Sequence, residues 1–150
     1  MPECKQSPRI GRVGLVMTGL LLLAACSGGG GSPVPSGANC LAADANNAVE
    51  LHAKDISFTN APCISAMAGR AIVIHFTNDD NMPHDVVVYS DSSKSSQLAK
   101  GDIITGPNKS ETVTVPAQEP GQLYFECSVH PGQMNGALVV NPASGASASP

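Results

Sequence analysis

The stretch Gln122-Leu123-Tyr124-Phe125-Glu126-Cys127-Ser128-Val129-His130-Pro131-Gly132-Gln133-Met134 reads as a strand, Gln122 to Cys127, running into a loop broken by Pro131 and Gly132. A second strand, Ala137 to Val140, follows directly. The same pattern extends back along the chain. Thr112-Val113-Thr114-Val115 alternates polar and apolar and stops at Pro116. Val86 to Tyr89 is a short apolar run, and Ala71 to Phe76 places Ile72, Ile74 and Phe76 on one face. Val49 to Phe58 alternates over most of its length. Turn signals at Ala68-Gly69, Asn78 to Asn81, Gly106-Pro107 and Glu119-Pro120-Gly121 separate these runs. Short strands at such intervals predict an all-β domain, an antiparallel sandwich or barrel. There is no convincing helical period and no internal repeat. Residues 91–109 are polar and irregular, with room for one short helix.

Composition narrows the reading. A chain of 150 residues allows one domain. It has no Trp and only five aromatic residues, Phe58, Phe76, Tyr89, Tyr124 and Phe125, so its core rests on Val, Ile, Leu and Ala. Charged residues are 13% and the net charge is -4. The basic residues are too few and scattered for a nucleic-acid surface or a polybasic membrane patch.

The first residues form a unit of their own. Lys5, Arg9 and Arg12 precede an apolar run, Val13 to Ala25, that is too short to span a bilayer comfortably. It ends Leu23-Ala24-Ala25-Cys26, which resembles the lipobox of bacterial lipoproteins. That resemblance implies cleavage before Cys26, lipidation of its thiol, and acylation of the new amino terminus. Several acyl chains anchor a protein where one alone is marginal. The expected organisation is a signal peptide at 1–25, a Gly/Ser/Pro tether at 26–38, a folded domain at 39–142 and a disordered tail at 143–150. Cleavage removes Lys5, Arg9, Arg12 and Glu3, which takes the net charge from -4 to about -6. The mature domain is expected outside the cytoplasm, on the periplasmic or cell-surface side of a membrane, where disulfides form.

Within the eight residues Cys127 to Met134 lie a thiolate, an imidazole (His130) and a thioether. Thiol and thioether are soft ligands, and imidazole suits copper. A second imidazole, His84, precedes the strand at Val86. Two histidines, one cysteine and a weak axial methionine form the blue-copper ligand set. His52 and His75 fall out of phase with their apolar neighbours and are expected to face solvent. Met67 and Met82 read as packing residues.

The segments Met82-Pro83-His84-Asp85-Val86 and Tyr124 to Pro131 resemble the cupredoxins, the plastocyanin-like blue copper proteins. Gly101-Asp102-Ile103-Ile104-Thr105-Gly106-Pro107 is similar to bacterial single-domain members. The resemblance spans about Val49 to Val140. It implies a Greek-key β-sandwich or barrel of seven or eight strands, with one mononuclear type 1 copper held by His84, Cys127, His130 and Met134. Gln133 is the rival axial ligand, because some cupredoxins use glutamine. The residue after the first histidine is often an asparagine that ties the two ligand loops together. Here it is Asp85, which either lowers the copper potential or points to solvent. With Cys127 on the metal and Cys4 lost with the signal peptide, Cys40 and Cys63 remain as an even pair for a disulfide.

The expected function is therefore one-electron transfer by a monomeric carrier, not catalysis. Its partners are redox proteins at the outer face of a bacterial membrane. The resemblance further implies that the edge of His130 is the electron port, ringed by Pro131, Gly132, Met82 and Pro83. The alternative is a periplasmic copper-binding or delivery protein, against which the single thiolate at a strand end argues. An enzyme with an open copper position conflicts with Met134, and a binuclear centre lacks its second cysteine.

Overall fold

The computed structural model describes residues 39–61 and 63–143. The expected signal peptide, the lipidation site Cys26, the tether and all but the first residue of the expected tail lie outside them. The described residues form ten strands and no helix, where seven or eight strands were expected. These are β1 (Leu41–Ala42), β2 (Ala48–Lys54), β3 (Ser57–Phe58), β4 (Cys63–Met67) and β5 (Ile72–Asn78), then β6 (Val87–Tyr89), β7 (Gln97–Lys100), β8 (Lys109–Val115), β9 (Gly121–Glu126) and β10 (Asn135–Asn141).

One sheet runs β1-β4-β10-β9-β6-β7 and the other β3-β2-β5-β8. Side chains of both enter one core. In β5 the alternation is complete: Ile72, Ile74, Phe76 and Asn78 are buried, and Val73, His75 and Thr77 lie outward. Phe58 packs against Phe76 and Phe125, with ring centroids 6.3 and 5.3 Å apart, and so joins the two sheets.

The sheets are mixed rather than antiparallel. β1 and β10 run parallel to β4, and β2 runs parallel to β5. Side-chain alternation is the same whichever way a neighbouring strand runs, so the pattern carried no information on direction. The short helix allowed for in residues 91–109 is absent. Asp91 instead accepts hydrogen bonds from the Ser93 N–H (2.8 Å) and from the hydroxyls of Ser90, Ser93 and Ser95. Such local side-chain bonds compete with a helix, and the chain then enters β7.

Two ties hold the two ends of β4. Cys40 and Cys63 form the expected disulfide. Asn47, buried at φ 64°, accepts the Met67 N–H and donates to the Met67 and Ala71 carbonyls. At the end of the sandwich away from Asn47, the segment between β5 and β6 meets the loop between β9 and β10.

Candidate metal centre

Two loops bring the site together. His84 sits between β5 and β6, pinned by reciprocal backbone bonds to Ile104 (3.1 and 2.9 Å). Cys127 directly follows β9. Its N–H donates to the Met134 carbonyl at 2.9 Å, and the Met134 N–H donates to the His130 carbonyl at 2.9 Å. The 127–134 loop thus closes on itself, and Asn135 Nδ2 caps it on the Pro131 carbonyl at 2.9 Å.

His84 Nδ1 lies 3.8 Å from Cys127 Sγ, and His130 Nδ1 lies 3.9 Å from it. The donor atoms of His84, Cys127 and His130 all fall within 4.8 Å of one another. Met134 is fully buried beside them, whereas Gln133 is exposed. His84 and Cys127 are also fully buried, and His130 is partly exposed. Met82, Ile103 and Val129, the large exposed hydrophobics of the described residues, belong to this end of the molecule. The expectation named Met82 but missed Ile103 and Val129, which sequence alone places only in loops.

Burial pushes the Cys127 thiol above its ordinary pKa, against backbone hydrogen bonds from Asp85, Val129 and His130 that act to lower it. A group of this kind ionises readily only with a cation beside it. Asp85 does not point to solvent. It is fully buried, and its two oxygens accept the Ser128 N–H (2.6 Å) and hydroxyl (2.5 Å). A carboxylate therefore makes the link between the two loops. Burial also acts to raise the Asp80 carboxyl, but the Met82 and Asp55 N–H groups and the His84 contact outweigh it and hold it below the usual value.

The donor set fits copper. The three converging donors are one soft thiol and two imidazoles, the ligand types that copper prefers. His52 and His75 take no part. His52 pairs with Asp79 at 2.9 Å, and His75 contacts Thr112 at 3.2 Å, both on the outer face of the second sheet.

The family description of the cupredoxin-like domain matches residues 16–140. The chain belongs to the cupredoxin-like family. Among solved structures, this cupredoxin is similar to the dithionite-reduced auracyanin of the photosynthetic bacterium Roseiflexus castenholzii (TM-score 0.58, 20% identity, 66% of this chain and 100% of that one). It is also similar to auracyanin A, a "blue" copper protein of the green thermophilic photosynthetic bacterium Chloroflexus aurantiacus (TM-score 0.55, 20% identity, 63% and 98%). No curated protein matches in sequence. At these identities the solved structures bear on the fold, while the His84, Cys127, His130 and Met134 cluster of a cupredoxin is consistent with a single type 1 copper site.

Proposed function

We propose that this cupredoxin is a one-electron carrier, held at the outer face of a bacterial membrane by lipid on Cys26. The observation that carries the reading is the convergence of His84 Nδ1, Cys127 Sγ and His130 Nδ1 from two loops closed by backbone hydrogen bonds. When bound there, copper supplies a one-electron Cu(I)/Cu(II) couple.

The protein's part is to hold the donors still. His84 and Cys127 sit at the ends of the sandwich's central elements, and the Asp85–Ser128 link joins their loops. Little then needs to rearrange when the electron moves. Burial of Met134 beside the three donors, with Gln133 exposed, favours the thioether over the amide as the fourth group that would hold copper. Partial exposure of His130 supports its edge as the electron port. Around it Met82, Ile103 and Val129 supply an uncharged surface for brief docking with a redox protein.

The test is the optical and electron paramagnetic resonance spectrum of the Cu(II)-loaded protein beside that of Cys127→Ser. An intense blue thiolate-to-copper band with small hyperfine splitting, both lost in the variant, is expected. A pale signal with wide splitting that survives in the variant would put copper elsewhere and favour metal delivery.

A further inference from the structure

Asp80 stands four residues before His84 in the turn run Asn78 to Asn81, and the ligand set gives it no role. His84 Nδ1 faces Cys127 Sγ, so the other ring nitrogen, Nε2, faces away from the donors. Nε2 is buried and has no aligned hydrogen-bond partner. The carboxylate in reach is Asp80, with Oδ1 at 3.3 Å. A buried N–H without an acceptor is costly. Which ring nitrogen holds the proton decides which one is free to bind a metal.

The carboxylate is itself anchored. Oδ1 accepts the Met82 N–H at 2.7 Å, and Oδ2 accepts the Asp55 N–H at 2.7 Å. Asp55 (φ 52°) and Ile56 (φ 56°) form a turn in which both residues are left-handed. A β-branched residue in that region is strained, and such strain persists only where the surroundings impose it. The neighbouring acids are engaged elsewhere: Asp79 pairs with His52, and Asp85 with Ser128.

We infer that Asp80 is a positioning residue of the metal centre. Its carboxylate accepts the Nε2–H of His84 and so leaves the Nδ1 lone pair aimed at the site, while the strained Asp55–Ile56 turn holds the carboxylate in place. The inference rests on the copper reading, but its first test does not.

Long-range proton–nitrogen correlation of the metal-free wild-type protein, at about pH 8 where an ordinary histidine is neutral, reads the tautomer directly. His84 is expected as Nε2–H. In Asp80→Ala that preference is lost, and Cu(II) affinity falls by about 10–100-fold, the usual effect of removing a ligand's outer partner. Asp80→Asn keeps an acceptor oxygen and restores both the tautomer and most of the affinity. An Nδ1–H His84 in the wild type, or an Asp80→Ala protein that keeps Nε2–H and full affinity, overturns the inference. The wild-type tautomer and the Asn variant decide the matter even if the Ala variant does not fold. A wild type with the Nε2–H tautomer but no thiolate–copper band would sink the copper reading and leave the positioning role of Asp80 supported.

Discussion

Two carboxylates near the copper end act on stability in opposite ways. Asp85 is fully buried and satisfied by Ser128 through two hydrogen bonds. Removing the hydroxyl in Ser128→Ala leaves one buried oxygen without that partner and is expected to cost about 1–3 kcal/mol, read by urea unfolding of the metal-free protein. A loss too small to measure would mean that water reaches Asp85. Glu111 is different. Oε2 accepts the Asp102 N–H at 2.6 Å, but Oε1 is buried with no partner, packed against Gly101. Burial pushes its carboxyl above the ordinary value, against the Asp102 N–H that acts to lower it. A carboxyl raised in the folded state contributes stability that is complete below its unfolded value and is lost as pH rises through the folded one. Glu111→Gln cannot ionise, so the balance between variant and wild type should shift in the variant's favour from about pH 4 to about pH 7. Denaturation at the two pH values measures it, and a constant difference would refute the burial argument.

At the level of strands, legibility follows burial pattern. β5 was readable because one face is wholly buried and the other is not. β4 was missed because burial alternates only from Ile64 to Met67, Cys63 before them is buried as well, and the partly open Met67 is itself apolar. β1 has two residues, and β7, Gln97–Lys100, is an edge strand whose two apolar residues, Leu98 and Ala99, are adjacent and only partly buried. Pairing direction was not legible at all, since β4 meets β10 from a distant part of the chain. The ligand residues were legible because three of them crowd one short loop. Their supports were not: Asp80 lies in a run that reads only as a turn, and the burial of Asp85 appears only once the two loops meet. The disulfide belongs to this level too, tying the start of β4 to the segment before β1 across a sequence separation of 23. In the loop-entropy account it adds about 3 kcal/mol. A variant with both Cys40 and Cys63 changed to Ala should lose about that much on denaturant unfolding and keep its copper spectrum, because the bridge shares no residue with the ligand set, whose two loops are held by their own backbone hydrogen bonds. A changed spectrum would mean that strain passes through the sheet to the ligands.

For the molecule as a whole, charge decides how a carrier finds its partners. Residues 39–142 hold an excess of Asp and Glu over Lys and Arg, and the sequence without its first 25 residues carries about -6. The exposed ring at the copper end, Met82, Ile103 and Val129, is uncharged, so steering must come from charge farther out on the surface. Long-range steering of this kind acts on encounter rates and is screened within about 8 Å at physiological salt. Contact through an apolar patch responds weakly to salt. The two parts of the proposed surface can therefore be separated by one series of measurements. With a cationic redox partner, the second-order electron-transfer rate of the copper-loaded protein should fall as ionic strength rises. With an anionic partner it should rise, because screening relieves repulsion. Val129→Asp, placed in the apolar ring, should slow transfer to both partners at high salt, where steering is already screened. If rates ignore ionic strength for both partners, the net charge has no part in recognition. If Val129→Asp leaves the high-salt rates unchanged, docking does not use the face around His130, and the electron port must be sought elsewhere.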